Sequence, residues 1–145
     1  MKRTPPAHKP RMLPFIVAAV LCMITGMYTM GTPQTEAQKA HPKYQEYLSL
    51  RESFKKQYGE RKYTEALDTV KRSLARVKEI FSDDDPLTAR EYNNIGITYK
   101  ALSQYNLAER NLKTALDIHA RKGIRNSLIA RFLGNLGDVY FLQKE

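Results

Sequence analysis

The side chains that most often hold metal ions are too scattered in this sequence to form a site. His8, His41 and His119 lie in three separate parts of the chain, and no two of them have metal-ligand spacing. The run Asp83–Asp85 offers carboxylates, which Ca²⁺ prefers, but it lacks the alternating ligands and the closing glutamate of an EF-hand loop. The sequence therefore predicts no metal site, and we interpret the acidic run as a solvated segment that caps a helix.

Residues for nucleophilic or phosphate chemistry are not arranged for catalysis either. No Ser, Cys or Lys has a base at a recognisable spacing, so no nucleophile can be assigned. Gly134 and Gly137 lie inside a helical pattern and do not follow a strand, unlike the glycines of a phosphate-binding loop. Cys22 is the only cysteine, which excludes an intrachain disulfide and a cysteine-based zinc site. We therefore expect a protein without enzymatic activity and without a cofactor.

The positive charge of the chain is partly concentrated near its start. The formal net charge is +9, and the basic residues before position 12 supply four of these charges, which leaves about +5 for residues 36–145. No face combines clustered Lys and Arg with interleaved aromatic residues, the pattern of a nucleic-acid-binding surface. Nucleic acid is therefore not an expected partner. The remaining charge suits an acidic peptide or an anionic membrane surface.

An uncharged apolar segment, residues 12–30, follows the basic tail of residues 1–11. Its 19 residues can just cross a bilayer roughly 30 Å thick at about 1.5 Å per residue. The most apolar part, Phe15–Ile24, is shorter and also suits the hydrophobic region of a signal peptide. The sequence thus predicts either a transmembrane anchor or a cleaved export signal, with the N-terminus in the cytoplasm and the rest of the chain across the membrane. The polar residues 31–42 include two prolines and are interpreted as a flexible linker.

Residues 43–145 contain aromatic and small residues that recur at a nearly constant interval. The positions separated by 41 residues are Phe54, Ile95 and Leu136, and Tyr58, Tyr99 and Tyr140. The positions separated by 42 residues are Tyr63 and Tyr105, Ala66 and Ala108, and Leu74 and Leu116. We attribute the difference of one residue to a shorter turn in the first helix pair. Periods of this length indicate stacked helix pairs, so we predict an all-α fold with pairs at 43–81 and 86–120 and a last helix at 127–145.

The stretch from Arg90 to Ile118 resembles the tetratricopeptide repeat (TPR), in which Leu-Gly-x-x-Tyr on one helix precedes Ala-x-x-x-Phe-x-x-Ala on the next. Gly96 lacks a side chain and so lets the second helix approach the first. The entry from Asp85 to Tyr99 is also similar to kinesin-light-chain-type repeats. The resemblance implies an antiparallel helix-hairpin solenoid of about two and a half repeats. It assigns to repeat packing the residues Phe54, Tyr58, Ala66, Ile95, Gly96, Tyr99, Ala108, Leu112, Ala115, Leu136, Gly137 and Tyr140.

The resemblance further implies a peptide-binding groove lined by the first helix of each repeat. Its three expected columns are Ser53, Asn94 and Asn135; Arg90 and Arg131; and Lys56, Ile97 and Asp138. Asn94 and Asn135 are similar to the asparagine ladder with which kinesin-light-chain-like proteins hold a peptide backbone, since an amide both donates and accepts. Arg90 and Arg131 are expected to pair with a ligand carboxylate. The implied function is a membrane-tethered, non-catalytic scaffold that binds a protein or peptide.

The last predicted helix suggests a second use of the domain. We expect it either to cap the second repeat or to leave an apolar stripe, formed by Phe132, Leu133, Leu136 and Tyr140, open to another chain. In the second case the protein is a structural subunit of a membrane-associated assembly, or a homo-oligomer through its C-terminal helix. A truncated reading frame would leave the same pattern, and signal cleavage would make the protein a secreted one.

Overall fold

The computed structural model describes residues 41–123 and 127–144, which form five α-helices. The helices are α1 Pro42–Gly59, α2 Tyr63–Ile80, α3 Pro86–Ala101, α4 Tyr105–Arg121 and α5 Ser127–Leu142. Each helix packs on the next one in the sequence, and α3 also touches α5. The described residues contain no strand. The prediction of an all-α fold built from consecutive helix pairs is thereby confirmed for this part of the chain.

Most predictions for the N-terminal region concern residues that the structure does not describe. The basic tail, the apolar segment 12–30 and the linker up to residue 40 lie outside the described residues. Pro42, which the sequence placed in the linker, is the first residue of α1, and Nδ1 of His41 accepts a hydrogen bond from the Lys43 amide at 3.2 Å. Among the five described helices, none combines the length and the apolar character that crossing a membrane requires.

The start of α3 shows how the local sequence sets a helix boundary. Oδ1 of Asp85 accepts a hydrogen bond from the Leu87 amide at 2.8 Å, which satisfies one of the free donors at the helix start. Pro86 follows in the first turn, where its missing amide hydrogen is not needed. The predicted capping role of Asp85 is confirmed. The other two aspartates of the acidic run form ion pairs, Asp83 with Lys78 and Asp84 with Arg121.

The core lies where α2 and α4 pack against the helices on either side of them. The fully buried residues of α4 include Ala108, Leu112 and Ala115. A Cβ atom added to Gly96 of α3 would lie 2.6 Å from Cγ of Leu112 and 3.2 Å from the carbonyl oxygen of Ala108. The first distance is far shorter than any ordinary carbon–carbon contact. Helices α3 and α4 therefore approach each other through this glycine, as the sequence predicted.

The turn between α1 and α2 has the same backbone as the turn between α3 and α4. Each turn contains three residues. The middle residue of each turn has a φ angle in the left-handed region, 60° for Arg61 and 58° for Ser103. The equivalent positions are 42 residues apart, so the prediction of a shorter first turn is wrong. The hydrogen bonds that close the two turns run from Lys62 N to Gln57 O and from Gln104 N to Tyr99 O, both at 2.9 Å.

A period of 42 residues consequently relates α1 to α3 as well as α2 to α4. This register makes Phe54 the counterpart of Gly96. Phe54 shares a cluster with Ala66 and Val70 of α2, which are the counterparts of the α4 residues around Gly96. The predicted column that began at Ser53 is therefore wrong by one residue.

Helices α3 and α5 keep the predicted period of 41 residues. Nζ of Lys71 lies 5.5 Å from the ring centroid of Tyr99, and Nζ of Lys113 lies 5.8 Å from the ring centroid of Tyr140. In both cases a lysine of the preceding second helix covers the tyrosine of the following first helix. Tyr99 and Tyr140 thus occupy equivalent positions in successive repeats.

Candidate peptide-binding groove

A groove of about 410 Å³ lies on the face formed by the first helix of each pair. Its walls come from α1, α3 and α5, whereas α2 and α4 contribute no lining residue. The lining residues are Arg51, Phe54 and Lys55 of α1, Arg90, Asn93, Asn94 and Ile97 of α3, and Leu128, Arg131 and Asn135 of α5. The groove thus combines cationic and amide side chains with three apolar ones, a composition that suits an extended polypeptide.

The structure brings together five of the eight residues that the sequence placed in a groove. These five are Arg90, Asn94, Ile97, Arg131 and Asn135. The other three do not line it. Ser53 and Lys56 are exposed elsewhere on α1. Asp138 forms an ion pair with Lys100, with 2.7 Å between Oδ2 and Nζ, and this pair joins α5 to α3.

The register of the first pair explains why α1 contributes other residues. Over a period of 42 residues, Arg51 and Lys55 are the counterparts of Asn93 and Ile97, which line the groove. Lys56 lies one position later, and one residue turns the side chain by roughly 100° around the helix axis. The signal for the correct register was present in the second helices, whose markers already recur after 42 residues.

Both asparagines of the predicted ladder also donate within the protein. Nδ2 of Asn94 donates to Oε2 of Glu91 at 3.4 Å, and Nδ2 of Asn135 donates to Oδ1 of Asn93 at 2.8 Å. The second bond joins α5 to α3 across the groove. Each carboxamide carries a second N–H and a carbonyl oxygen. These groups are what a ligand backbone would use.

The groove is lined by four cationic side chains, Arg51, Lys55, Arg90 and Arg131. Lys55 pairs with the exposed Glu52 at 2.7 Å, and Nε of Arg51 lies 3.8 Å from Oε1 of the buried Glu91. Among the described residues, Arg90 and Arg131 form no ion pair. The groove therefore has an excess of positive charge and two guanidinium groups available to a carboxylate.

A buried carboxylate lies beside the groove wall and was missed by sequence reasoning. Glu91 is fully buried, and the Tyr47 hydroxyl of α1 donates to its Oε1 at 3.1 Å. Burial raises the pKa of Glu91, because loss of water disfavours the charged form, against the opposing effect of hydrogen bonds from Asn94 and Tyr47. Burial and the Glu91 charge likewise raise the pKa of Tyr47. The sequence offered one signal that Glu91 is buried: its counterpart in α5 is the apolar Phe132, a core residue.

The side chain of His119 is fully buried. Its ring packs against Phe132, with 5.2 Å between the ring centroids, and neither ring nitrogen has a hydrogen-bond partner among the described residues. Burial, and secondarily the Arg90 charge, lower the pKa of His119. Within residues 41–123 and 127–144, no group of three or more His, Cys, Asp and Glu side chains is arranged to hold a metal ion. His119 therefore behaves as a core residue that carries an uncompensated polar ring.

The stripe predicted on the last helix is only partly exposed. Phe132 and Leu136 are 0% and 8% exposed because they cover α4 and its neighbours, so the prediction is wrong for these two residues. Leu133 and Tyr140 are 54% and 39% exposed, as predicted, and Phe141 is 66% exposed. Helix α5 thus caps the second pair with one face and leaves the opposite face open.

The chain was compared with protein-family models, curated proteins and solved structures. A search of curated proteins and a search of solved structures each gave no match. Residues 58–121 match the family model described as tetratricopeptide repeat. These residues run from the end of α1 through α2, α3 and α4. This match, together with the stacked helix pairs and the close approach at Gly96, supports a TPR protein.

Proposed function

We propose that the protein is a membrane-tethered, non-catalytic scaffold that binds an acidic segment of a protein or peptide in the groove. TPR repeats generally mediate binding between proteins and do so on extended concave surfaces. The observation that carries the proposal is the position of Arg90 and Arg131 in one groove, on neighbouring helices, without an ion-pair partner among the described residues.

The composition of the groove suggests how such a segment is held. The guanidinium groups of Arg90 and Arg131 each offer paired N–H donors to a carboxylate. The amides of Asn94 and Asn135 bind the backbone of the segment and so do not depend on its sequence. Ile97 adds an apolar side chain to the lining of the groove. Acidic character therefore sets the preference of the groove, and the amides set the orientation of the ligand.

A charge-matched pair of variants tests this proposal. Arg90→Ala with Arg131→Ala removes two cations from the groove, and Arg72→Ala with Arg110→Ala removes two exposed cations from α2 and α4. The probe is a fluorescein-labelled hexaglutamate peptide, followed by anisotropy at low salt, with hexaglutamine as the uncharged comparison. We expect the groove variant to bind about tenfold more weakly, which is about 1.4 kcal/mol for two partly solvated ion pairs. Equal losses in both variants would show that only the net charge matters.

The amide ladder has its own test. Asn94→Ala with Asn135→Ala is expected to weaken capture of the natural partner from membrane extracts and to weaken binding of the labelled peptide. Both amides lie outside the ion pairs, so the salt dependence of peptide binding is expected to stay as in the wild type. Unchanged capture and unchanged peptide binding would remove the ladder while leaving the fold intact.

The tether and the location are further parts of the proposal. We propose that residues 12–30 form a single-pass anchor with the N-terminus in the cytoplasm and the repeat domain on the periplasmic or extracytoplasmic side. The apolar length and the preceding positive charge support this arrangement. The alternative is a secreted protein after signal cleavage. Mass spectrometry of the mature N-terminus in the native membrane separates the two: an intact Met1 region supports the anchor, and a new terminus after residue 31 or 37 contradicts it.

The exposed face of α5 favours a second candidate function, that of a structural subunit in a membrane-associated assembly. Leu133 and Phe141 are among the most exposed large apolar residues of the described chain. Leu133→Asp is the suitable variant, because Leu136 is buried and its replacement by Asp would unfold the domain. Loss of crosslinked assemblies in Leu133→Asp supports this function. Unchanged assemblies contradict it.

A further inference from the structure

The buried carboxyl of Glu91 contacts two side chains that line the groove. Oε1 of Glu91 lies 3.8 Å from Nε of Arg51, and Oε2 accepts a hydrogen bond from Nδ2 of Asn94 at 3.4 Å. The Tyr47 hydroxyl donates to Oε1 at 3.1 Å. Arg51 and Asn94 line the groove, whereas Glu91 and Tyr47 do not. Glu91 therefore acts on the groove only through Arg51 and Asn94.

The contacts from Glu91 to the groove residues are long. A charge-assisted hydrogen bond between an N–H donor and a carboxylate usually spans about 2.7–2.9 Å, and both the Arg51 and the Asn94 distances exceed this range. The side chain of Arg51 is also 21% exposed, so its guanidinium group is accessible from the groove. A ligand carboxylate can thus offer Arg51 a closer partner than Glu91 does.

A buried carboxylate that loses its cation becomes neutral. Charge in a protein interior is costly unless it is paired, and a proton removes that cost. Among the described residues, Arg51 alone forms an ion pair with Glu91. The hydroxyl of Ser73 in α2 is buried close to the same carboxyl and has no hydrogen-bond partner in the described part of the chain. Its oxygen is suited to accept a hydrogen bond from protonated Glu91.

Other helices place further charged or titratable groups around this site. The groups that face Glu91 or its partners are Tyr47 and Arg51 of α1, Arg90 of α3, His119 of α4 and Arg131 of α5. Arginine keeps its charge at every accessible pH, and the raised pKa of Tyr47, caused by burial, keeps its hydroxyl protonated. His119 is the group in this set whose ordinary pKa lies close to neutral pH. A test of Glu91 must therefore leave His119 unchanged.

We propose that Glu91 is a positioning residue that couples the groove to a proton: its charged form holds Arg51 and Asn94, and its protonated form releases both to an acidic segment. This inference rests on the proposed function and adds a regulation of the same groove. A bound acidic segment engages Arg51 and adds negative charge, so the bound state holds the Glu91 proton more tightly than the free state does. Binding therefore takes up a proton, and the affinity for an acidic segment rises as pH falls.

The first test needs no ligand. The full-length chain in a mild detergent, with isotope labels in the glutamate carboxyls and in the arginine and asparagine side chains, is titrated from about pH 8 to about pH 4.5, the ordinary pKa range of glutamate. We expect the Glu91 carboxyl, Nε of Arg51 and Nδ2 of Asn94 to change chemical shift with one common midpoint. In Glu91→Gln, which keeps the size of the side chain, the Arg51 and Asn94 transitions are expected to be absent. Arg51 and Asn94 signals that do not follow Glu91, or a Glu91 carboxyl that does not titrate in this range, would overturn the proposal.

The second test measures binding of hexaaspartate by calorimetry, in buffers of different ionisation enthalpy, at about pH 8 and about pH 5.5, where aspartate with its ordinary pKa of about 3.9 stays ionised. Relative to Glu91→Gln, the wild type is expected to gain about threefold to tenfold in affinity at the lower pH and to take up more protons, since one pKa unit corresponds to a factor of about ten. At the higher pH, Glu91→Gln is expected to bind more tightly than the wild type, because glutamine has no charge to hold Arg51. Loss of a merely structural residue would weaken binding instead.

Glu52→Gln is the matched control. Glu52 is exposed and pairs with the groove residue Lys55 at 2.7 Å, and this hydrogen bond lowers the pKa of Glu52. The variant removes the same charge beside the groove and is expected to keep the pH dependence of the wild type.

The possible failures are distinguishable. Equal pH dependence and equal proton uptake in the wild type and Glu91→Gln would overturn this inference alone, provided that Arg90→Ala with Arg131→Ala still weakens binding. Loss of the pH dependence in Glu52→Gln would also overturn it, because any carboxylate beside the groove would then have the same effect. Absence of saturable binding at both pH values would overturn the proposed function, and the linkage to a ligand with it.

Discussion

Replacing Gly96 and Gly137 by alanine measures directly what the close approach of two helices contributes. The two glycines are equivalent positions in α3 and α5. A Cβ at Gly96 would lie 2.6 Å and 2.9 Å from side-chain atoms of Leu112 and 3.2 Å from a backbone oxygen, whereas a Cβ at Gly137 meets nothing within 4 Å. Leu112 is fully buried. The two substitutions are therefore chemically identical and differ only in packing.

The expected magnitudes follow from two opposing effects. Alanine in a helix is favoured over glycine by about 1 kcal/mol. The overlap at Gly96 costs about 1–3 kcal/mol, as for other cases of overpacking. The helix-propensity gain is common to both variants and cancels in their difference. We expect the free energy of unfolding of Gly96→Ala to lie about 1–3 kcal/mol below that of Gly137→Ala.

Urea unfolding followed by circular dichroism at the helical band measures this difference. Thermal unfolding gives a second readout, since each kcal/mol corresponds to about 4–8 °C in a domain of this size. The wild type is expected to lie between the two variants, because Gly137→Ala gains helix propensity at no packing cost. Equal shifts of both variants in the same direction would refute the packing of α4 onto α3 through Gly96.

Three further predictions concern the buried Glu91, the buried His119 and two turn residues with positive φ. Because the native state binds the Glu91 proton more tightly than the unfolded chain does, the stability of the wild type is expected to fall from about pH 4.5 upward, as pH rises through the raised native pKa of Glu91. Glu91→Gln is expected to remove this fall. Urea unfolding as a function of pH checks this, and parallel curves for the two proteins would contradict it. His119→Phe is expected to raise the free energy of unfolding by about 1 kcal/mol, since both ring nitrogens are buried and have no hydrogen-bond partner in the described part of the chain. The same change is expected to remove a loss of stability as pH falls below about 6.5, because the pKa of His119 is lowered in the folded state; calorimetry at two pH values tests both statements. Arg61→Gly and Ser103→Gly are each expected to add about 0.5–1 kcal/mol, because both residues have positive φ, and a lower melting temperature in either variant would count against the turn geometry.

The features that were predictable from the sequence depend on local signals. The cap at Asp85 needs only an aspartate followed by proline at a helix start. The close approach at Gly96 follows from a glycine opposite small residues on the next helix. These patterns are encoded within one or two turns of helix, so no knowledge of distant contacts is required.

The features that were missed depend on how distant residues meet. One residue of register turns a side chain by roughly 100°, so an error of one position placed Lys56 in the predicted groove instead of Lys55. Arg51 was missed for a different reason, because its counterpart Asn93 was not in any predicted column. Glu91 belongs to a residue type that is usually exposed, and its hydrogen-bond partner Tyr47 lies 44 residues earlier in the chain. Phe132 and its exposed neighbour Leu133 are both large apolar residues. Only the placement of α5 on α4 decides which of the two faces the core.

The proposed function depends on a groove for an acidic segment that the first helices of the repeats form. Titration of the isotope-labelled full-length chain with hexaglutamate, followed by amide chemical shifts, tests it most directly. We expect saturable shifts in α1, α3 and α5 that concentrate around Arg90, Asn94 and Arg131, and smaller shifts in α2 and α4. Shifts centred on α2 and α4, or shifts that rise linearly without saturation, would contradict it.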